Sequence, residues 1–191
     1  MVLTGRDFTV RPPQPETDAD DLFGSTHGDP SAKSVWTYMG YGPFSHLDEF
    51  RDWIASNAAS TDPLFFTVLS NALQKAIGMV SILNADFPHR RLELGHIWYV
   101  PSAQRTSANT SATFLLLTEA FEYYGCRRVE WKCDSLNEPS RRAAERLGFT
   151  FEGVSRNHMV VKGHNRDTAW FAMTDDDWPD RKKAIQDRLD R

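Results

Sequence analysis

The chain has 191 residues, 40% hydrophobic and 25% charged, with a formal net charge of −4 and 12% aromatics. That length suits one domain of ordinary size, able to bury roughly 70% of its unfolded surface without a disulfide or metal staple. The acidic balance argues against a general nucleic-acid face, and a mean hydropathy of −0.51 with no long charge-free apolar run excludes a membrane-spanning helix.

Residues 1–7 carry no basic region followed by an apolar stretch, so no secretory leader is expected. Cys126 and Cys133 are the only cysteines, and neither has a partner at metal-ligand spacing. They are expected as small apolar filler near a strand, in keeping with a reducing cytosol and no metal.

In chain order, Phe8–Arg11 is predicted as a short strand ended by Pro12-Pro13, and residues 18–23 as a short helix. Residues 24–43, rich in Gly, Ser and aromatics, are expected to form an irregular, mobile loop. Ser45 is a candidate N-cap, and Leu47, Phe50, Trp53 and Ile54 recur at helical spacing in a helix that ends before Asp62-Pro63. Three strands follow, at 64–70, 76–83 and 92–100, joined by turns at 71–75 and 87–90 into an antiparallel meander. Residues 109–124 carry a helical apolar stripe closed by Gly125, and 128–133 form a strand with Val129, Trp131 and Cys133 on one face. Asn137 caps a helix to Leu147 with Gly148 just past its end. A hairpin of 149–161 and 167–173 turns around Gly163-His164-Asn165. The fold class is mixed α/β in one domain.

The chemistry is expected in residues 93–110, ELGHIWYVPSAQRTSANT, which run from a strand through a polar loop into a long helix. A loop of small residues entering a helix presents amides without intrahelical partners at the positive end of the dipole. That arrangement suits phosphates, and it equally describes an ordinary capped turn. No dinucleotide fingerprint or Walker loop occurs, so nicotinamide and nucleoside-triphosphate chemistry lose support.

With these pieces in this order, the chain resembles the GNAT acetyltransferase superfamily, in its RimJ/RimL-type branch. The family's loop pattern, Gln/Arg-x-x-Gly-x-Gly/Ala, reads Gln104-x-x-Ser107-x-Asn109 here, and its Asn-x-x-Ser signature before a helix ending in Leu-Gly-Phe reads Asn137, Ser140 and Leu147-Gly148-Phe149. Thr9-Val10-Arg11-Pro12 matches the branch's opening strand, and the turn from Gly163 to Asp167 with Trp170-Phe171 matches its closing hairpin. The resemblance covers about residues 7–174 and implies a single-domain GNAT fold, a mixed, mostly antiparallel twisted sheet flanked by helices. Residues 175–191 are left as a charged tail forming a peripheral helix.

Both glycines of the family's loop are replaced, by Ser107 and Asn109. Glycine there permits close backbone approach and positive φ. Asn tolerates the left-handed region and Ser is small with a hydroxyl, so the cradle is expected to survive with altered phosphate contacts.

The resemblance implies acetyl-CoA as co-substrate. Its pantetheine arm would pair with the main chain of Ile97, Trp98 and Tyr99, whose side chains stay uncommitted. The coenzyme loop would be Gln104, Arg105, Thr106, Ser107, Ala108, Asn109 and Thr110, with the pyrophosphate on Arg105 to Thr110 and coenzyme-side roles for Asn137 and Ser140. Acetyl transfer to an amine needs a neutral nucleophile, donors at the thioester oxygen and a proton for the departing thiolate. Glu93, eleven positions before Gln104, stands where many members place a basic glutamate, and His96 on the same strand competes for that role. A carboxylate facing solvent or pairing with Arg90 or Arg91, and a hydrogen-bonded structural histidine, are the plain alternatives.

Many members protonate the thiolate from a tyrosine seven residues after the signature Asn. Here that position is Ala144, with no tyrosine beyond Tyr124, which leaves Ser140 as the candidate acid. The plain readings are a helix-turn hydroxyl bonding the helix backbone for Ser140 and a cap for Asn137. The architecture places the 24–43 loop and the last hairpin around the acceptor, so Trp36, Tyr38, Tyr41, Arg156 and His158 are candidate lining residues, with packing or surface roles as the stronger alternative. The expected function is a cytoplasmic N-acetyltransferase acting on a small-molecule amine or a peptide N-terminus by direct attack in a ternary complex. No nucleic-acid or membrane partner is expected, and a homodimer is compatible. The alternative is a non-catalytic CoA-binding regulatory module, motivated by the missing tyrosine and the glycine-free loop.

Overall fold

The computed structural model describes residues 1–190; Arg191, the last residue of the expected tail, lies outside them. The elements are β1 (Leu3–Thr4), β2 (Phe8–Arg11), α1 (Pro15–His27), α2 (Leu47–Ala59), β3 (Leu64–Ser70), β4 (Lys75–Asp86), β5 (Arg91–Tyr99), α3 (Ala108–Thr118), β6 (Arg128–Asp134), α4 (Glu138–Leu147), β7 (Thr150–Val161), β8 (His164–Thr174) and α5 (Trp178–Leu189). Short 3-10 turns occupy Ala32–Trp36 and Pro101–Ala103, and a π-helical turn, Glu119–Tyr123, continues α3. The strands form one sheet in the order β1-β2-β3-β4-β5-β6-β8-β7. The pairs β1–β2, β2–β3, β3–β4, β6–β8 and β7–β8 are antiparallel and β5–β6 is parallel, which is the mixed α/β architecture expected. Among the described residues no helix is long and apolar enough to cross a membrane.

The chain divides into two compact units, Met1–Leu83 with His96–Leu116, and Asn84–Gly95 with the residues from Leu117 onward. In the first, β2 pairs with β3 from Phe8↔Ser70 to Arg11↔Thr67, and β3 with β4 from Leu64↔Ile82. β3 is apolar at nearly every position because both faces are covered. Its core is aromatic: Trp36, Phe50 and Phe66 are fully buried, and the Trp36 ring lies 4.8 Å from that of Trp98.

Two expectations change here. The helix expected at 18–23 is the longer α1, and the expected 24–43 loop loses its first residues to it and a 3-10 turn to Ala32–Trp36. The reason lies in Asp18, which is fully buried yet satisfied. It accepts both Arg11 guanidinium nitrogens, at 2.6 and 3.0 Å, the Gln14 amide at 2.8 Å and the Thr67 hydroxyl at 2.6 Å. A carboxylate on the inner face hides the helical apolar period.

In the second unit, β6 buries Val129, Trp131 and Cys133 and turns Arg128, Glu130 and Lys132 to the opposite face. α4 is capped by the Asn137 side chain, which accepts the Ser140 amide at 3.2 Å, and it ends at Gly148 in the left-handed region, φ +93°. Its inner face carries Ala143, Ala144 and Leu147. α5 anchors through Trp178 and Ile185, both buried, and the Trp178 ring stacks on Phe121.

Candidate active site

The parallel register of β5 and β6 sets Arg91 beside Arg128 and Glu93 beside Glu130. Lys132 follows two residues along β6, opposite Trp170 of β8. Glu93 is only 2% exposed, and it neither faces solvent nor pairs with Arg90 or Arg91. Its Oε2 accepts from Asn84 Nδ2 at 2.9 Å and lies 3.0 Å from Lys132 Nζ. The Lys132 ammonium sits 5.4 Å from the centre of the Trp170 ring, whose indole N–H donates to Ser155 Oγ at 3.0 Å.

Arg91 bridges Asp86 at 3.2 Å and Glu130 at 3.4 Å. Arg128 donates to Glu130 at 2.8 Å and grips Glu152 through both terminal nitrogens, which holds the Glu152 carboxyl below its usual range. These groups frame an open cavity of about 460 Å³, walled by Asn84, Asp86, Arg91, Glu93, Glu130 and Trp170. A buried, anchored carboxylate on the wall of an open cavity can take a proton from a bound molecule, directly or through water.

His96 belongs to the other unit. Its backbone is left-handed, φ +51°, inside β5, which breaks the strand's alternation. The ring lies parallel to Tyr41 with centroids 5.7 Å apart, its Nδ1 is 3.3 Å from the Tyr41 hydroxyl, and Phe65 packs at 5.0 Å. Burial pushes the Tyr41 hydroxyl far above its ordinary range, so it stays protonated at neutral pH.

The loop after β5 is exposed from Gln104 to Ser107 and enters α3 at Ala108. Gln104 Nε2 donates to the Tyr99 carbonyl at 3.2 Å, and Thr106 Oγ1 donates to the Ala103 carbonyl at 2.7 Å while accepting the Ala108 amide at 3.2 Å. The positive φ of this loop falls on Arg105, at +62°, and not on Ser107 or Asn109. Asn109 lies in the first turn of α3, so its tolerance of the left-handed region is not what the position uses. Beyond Leu94↔Trp131 the register of β5 with β6 ends, before Ile97, Trp98 and Tyr99.

Ser140 Oγ accepts the Trp131 indole N–H at 3.1 Å, so its partner is a side chain rather than the helix backbone. Burial raises the Cys133 thiol, and the Ser140 hydroxyl beside it pulls the other way. Ala144 is fully buried, so the place where many relatives carry a tyrosine is used for packing. Of the candidate lining residues, Trp36 is buried in the first unit's aromatic core, and Tyr41 packs on Trp53 and His96. His158 meets Trp170 edge-on at 5.6 Å and Thr168 Oγ1 at 3.0 Å.

The sequence expectations omit Asn84, Lys132 and Trp170. Lys132 had a legible signal: charged residues at 128, 130 and 132 alternate along a strand, and a parallel neighbour carrying Glu93 turns that face toward it. Among the described residues no group of three or more metal-ligating side chains occurs.

Comparison with known proteins agrees with this architecture. The family model described as "Acetyltransferase (GNAT) domain" matches residues 7–150. The chain belongs to the GNAT family of acetyltransferases, enzymes that draw their acetyl group from acetyl-CoA. A crystal structure of a GCN5-related N-acetyltransferase from Brucella melitensis is 40% identical, covers 97% of this chain and 84% of its own, and superposes with a TM-score of 0.93. A Chromobacterium violaceum protein described as a probable acetyltransferase of the GNAT family is 38% identical over 93% of this chain and 88% of its own, with a TM-score of 0.84. The Bacillus subtilis (strain 168) protein whose name reads "Putative ribosomal N-acetyltransferase YdaF" is 32% identical over 105 residues. That match spans 55% of this chain and 57% of the relative's length. Its name is in keeping with the RimJ/RimL-type branch.

Proposed function

We propose that this enzyme acetylates a primary amine, foremost the N-terminal α-amine of a peptide or protein, with Glu93 receiving the amine's proton through water. The observation that carries the proposal is the buried Glu93 carboxylate on the cavity wall, with Oε2 anchored by Asn84 and Lys132. Both anchors engage Oε2, and Oε1 is the atom assigned to the water. An α-amine, whose ordinary pKa is near 8, is partly neutral at physiological pH and needs only modest assistance of this kind. The name of the Bacillus subtilis relative, matched over part of its length, supports a peptide acceptor over a small metabolite.

Acetyl-CoA, when bound, supplies an activated acyl thioester. The residues present suit it. The exposed loop of Gln104, Arg105, Thr106 and Ser107 leads into the first turn of α3 at Ala108, Asn109 and Thr110, where amides lack intrahelical acceptors and Arg105 adds a positive charge. Ile97, Trp98 and Tyr99 lie past the end of the β6 register, which supports main-chain pairing with an amide-bearing arm. Asn137 is committed to capping α4, while the Ser140 hydroxyl, which accepts from Trp131 and lies beside the Cys133 thiol, is the candidate acid on the coenzyme side. His96, held against Tyr41 and Phe65, is assigned a structural role. The non-catalytic alternative is not favoured, because an anchored carboxylate in a cavity has no use in a passive CoA carrier.

A thiol-release assay with acetyl-CoA and a panel of free-amino peptides, N-terminally blocked peptides and small amines tests this reading. Free-amino peptides should turn over best. Glu93→Gln should lower kcat by about 10²–10⁴-fold and, with a weakly basic amine that stays neutral across the range as acceptor, remove the loss of rate toward low pH. His96→Ala should keep that limb. A Glu93→Gln enzyme with the unaltered profile, together with loss of the limb in His96→Ala, would reverse the assignment.

A further inference from the structure

We infer that Lys132 is a positioning residue for the acetyl transfer: its ammonium, held between Glu93 and the face of Trp170, fixes the Glu93 carboxylate in the place from which it receives the proton. The inference rests on the reading of Glu93 as the base. A carboxylate that is 2% exposed has lost nearly all its hydration. Lys132 Nζ, 3.0 Å away, replaces water as the counter-charge, and Asn84 adds a neutral donor to the same oxygen.

The cation is itself constrained. It lies 5.4 Å from the centre of the Trp170 ring, and that ring is fixed by its bond to Ser155 and its edge contact with His158. Lysine normally moves freely at a surface; here its side chain is 22% exposed and its head is held on two sides. The other charged groups around Glu93 already have partners of their own. Arg91, on the same strand, is taken by Asp86 at the end of β4 and by Glu130 of β6. Arg128 of β6 serves Glu130 and Glu152 of β7, and His158 of β7 faces Trp170 and Thr168 of β8. Lys132 is therefore the counter-charge whose removal the carboxylate should feel most.

The test is the kcat and KM of charge variants at saturating amine and acetyl-CoA. Lys132→Met keeps the stem's bulk and removes the charge. Its kcat should fall at least about tenfold, with KM for acetyl-CoA changed by less than about twofold. Lys132→Arg should restore most of the rate. If Lys132→Met does not fold, Lys132→Gln reads the same split. An unchanged kcat in the neutral variant, alongside its loss in Glu93→Gln, overturns the role of Lys132 and leaves Glu93 standing. A kcat unchanged in Glu93→Gln overturns the reading of Glu93, and this inference with it.

Discussion

His27, in the last turn of α1, is a titratable group set into an aromatic cluster. Its ring stacks on Phe23 with centroids 4.3 Å apart and meets Trp36, Phe44 and Phe50. The Phe44 amide donates to Nε2 at 2.9 Å, so that nitrogen must be unprotonated and the ring proton belongs on Nδ1, 2.8 Å from Thr26 Oγ1. A helix C-terminus favours a cation, yet desolvation is the larger influence and holds His27 below its ordinary value of 6.5. A depressed folded value means that the unfolded chain binds the proton more readily. The stabilisation is thus present above about pH 6.5 and is lost as pH falls through the folded value. Protonation also forfeits the Phe44 bond, worth about 1 kcal/mol, so Tm should drop by about 2–4 °C between pH 7.5 and 5.5. His27→Gln should flatten that interval in a thermal melt. A wild-type Tm that stays level across it contradicts the argument.

Among the elements, α4 rests most on its ends. Gly148 adopts φ +93°, its amide bonds the Glu145 carbonyl at 3.0 Å, and Phe149 N reaches the Ala144 carbonyl at 3.0 Å. A Cβ there would lie 2.5 Å from Arg181 Cδ, a flexible stem that can yield, so the backbone conformation decides the cost. Gly148→Ala should destabilise by about 1–2 kcal/mol and lower Tm by about 2–8 °C, checked by calorimetry; an unchanged Tm would mean that the left-handed cap carries no weight. This helix was also the most legible in the sequence, because an Asn cap and a terminal Gly bracket one span. β3 was equally plain, as a mostly apolar run, interrupted at Thr67, bounded by turn residues. α1 was not: Asp18 and Thr26 occupy buried positions through bonds to Arg11, Thr67 and the Leu22 carbonyl, partners that no local pattern reveals. The site divides in the same way. Glu93 became a candidate through its place in the pattern of the family the sequence resembles, whereas the contacts of Lys132 and Asn84 with it needed the pairing of strands far apart in sequence.

For the whole molecule, a net charge of −4 at neutral pH means that acid first removes negative charge and then leaves a surplus of cations. Several carboxyls are held low by partners: Glu122 by Lys182 and the Trp178 indole, Glu152 by Arg128, and Asp177 by the Thr174 hydroxyl and amide at the start of α5. Each is depressed in the folded state, so its contribution is complete above the ordinary carboxyl range near pH 4 and is lost as pH falls through the folded value. Tm should therefore fall more steeply below about pH 4 than between 5 and 7. A melt curve that stays flat to pH 3 would contradict this.

β7 is the outermost strand of the sheet, and Phe151, Val154, Met159 and Val160 are exposed along it. A straight ribbon of that length and character would be a template on which another chain could assemble. It is not straight. Its register with β8 slips between Phe151 and Gly153 and again between Ser155 and Met159, with left-handed backbone at Asn157, and the charges of Glu152 and Arg156 punctuate it. Irregularities of this kind at a sheet edge disfavour edge-to-edge pairing. Changes that smooth them would be felt first in colloidal behaviour, at protein concentrations where the folded chain is otherwise unaffected.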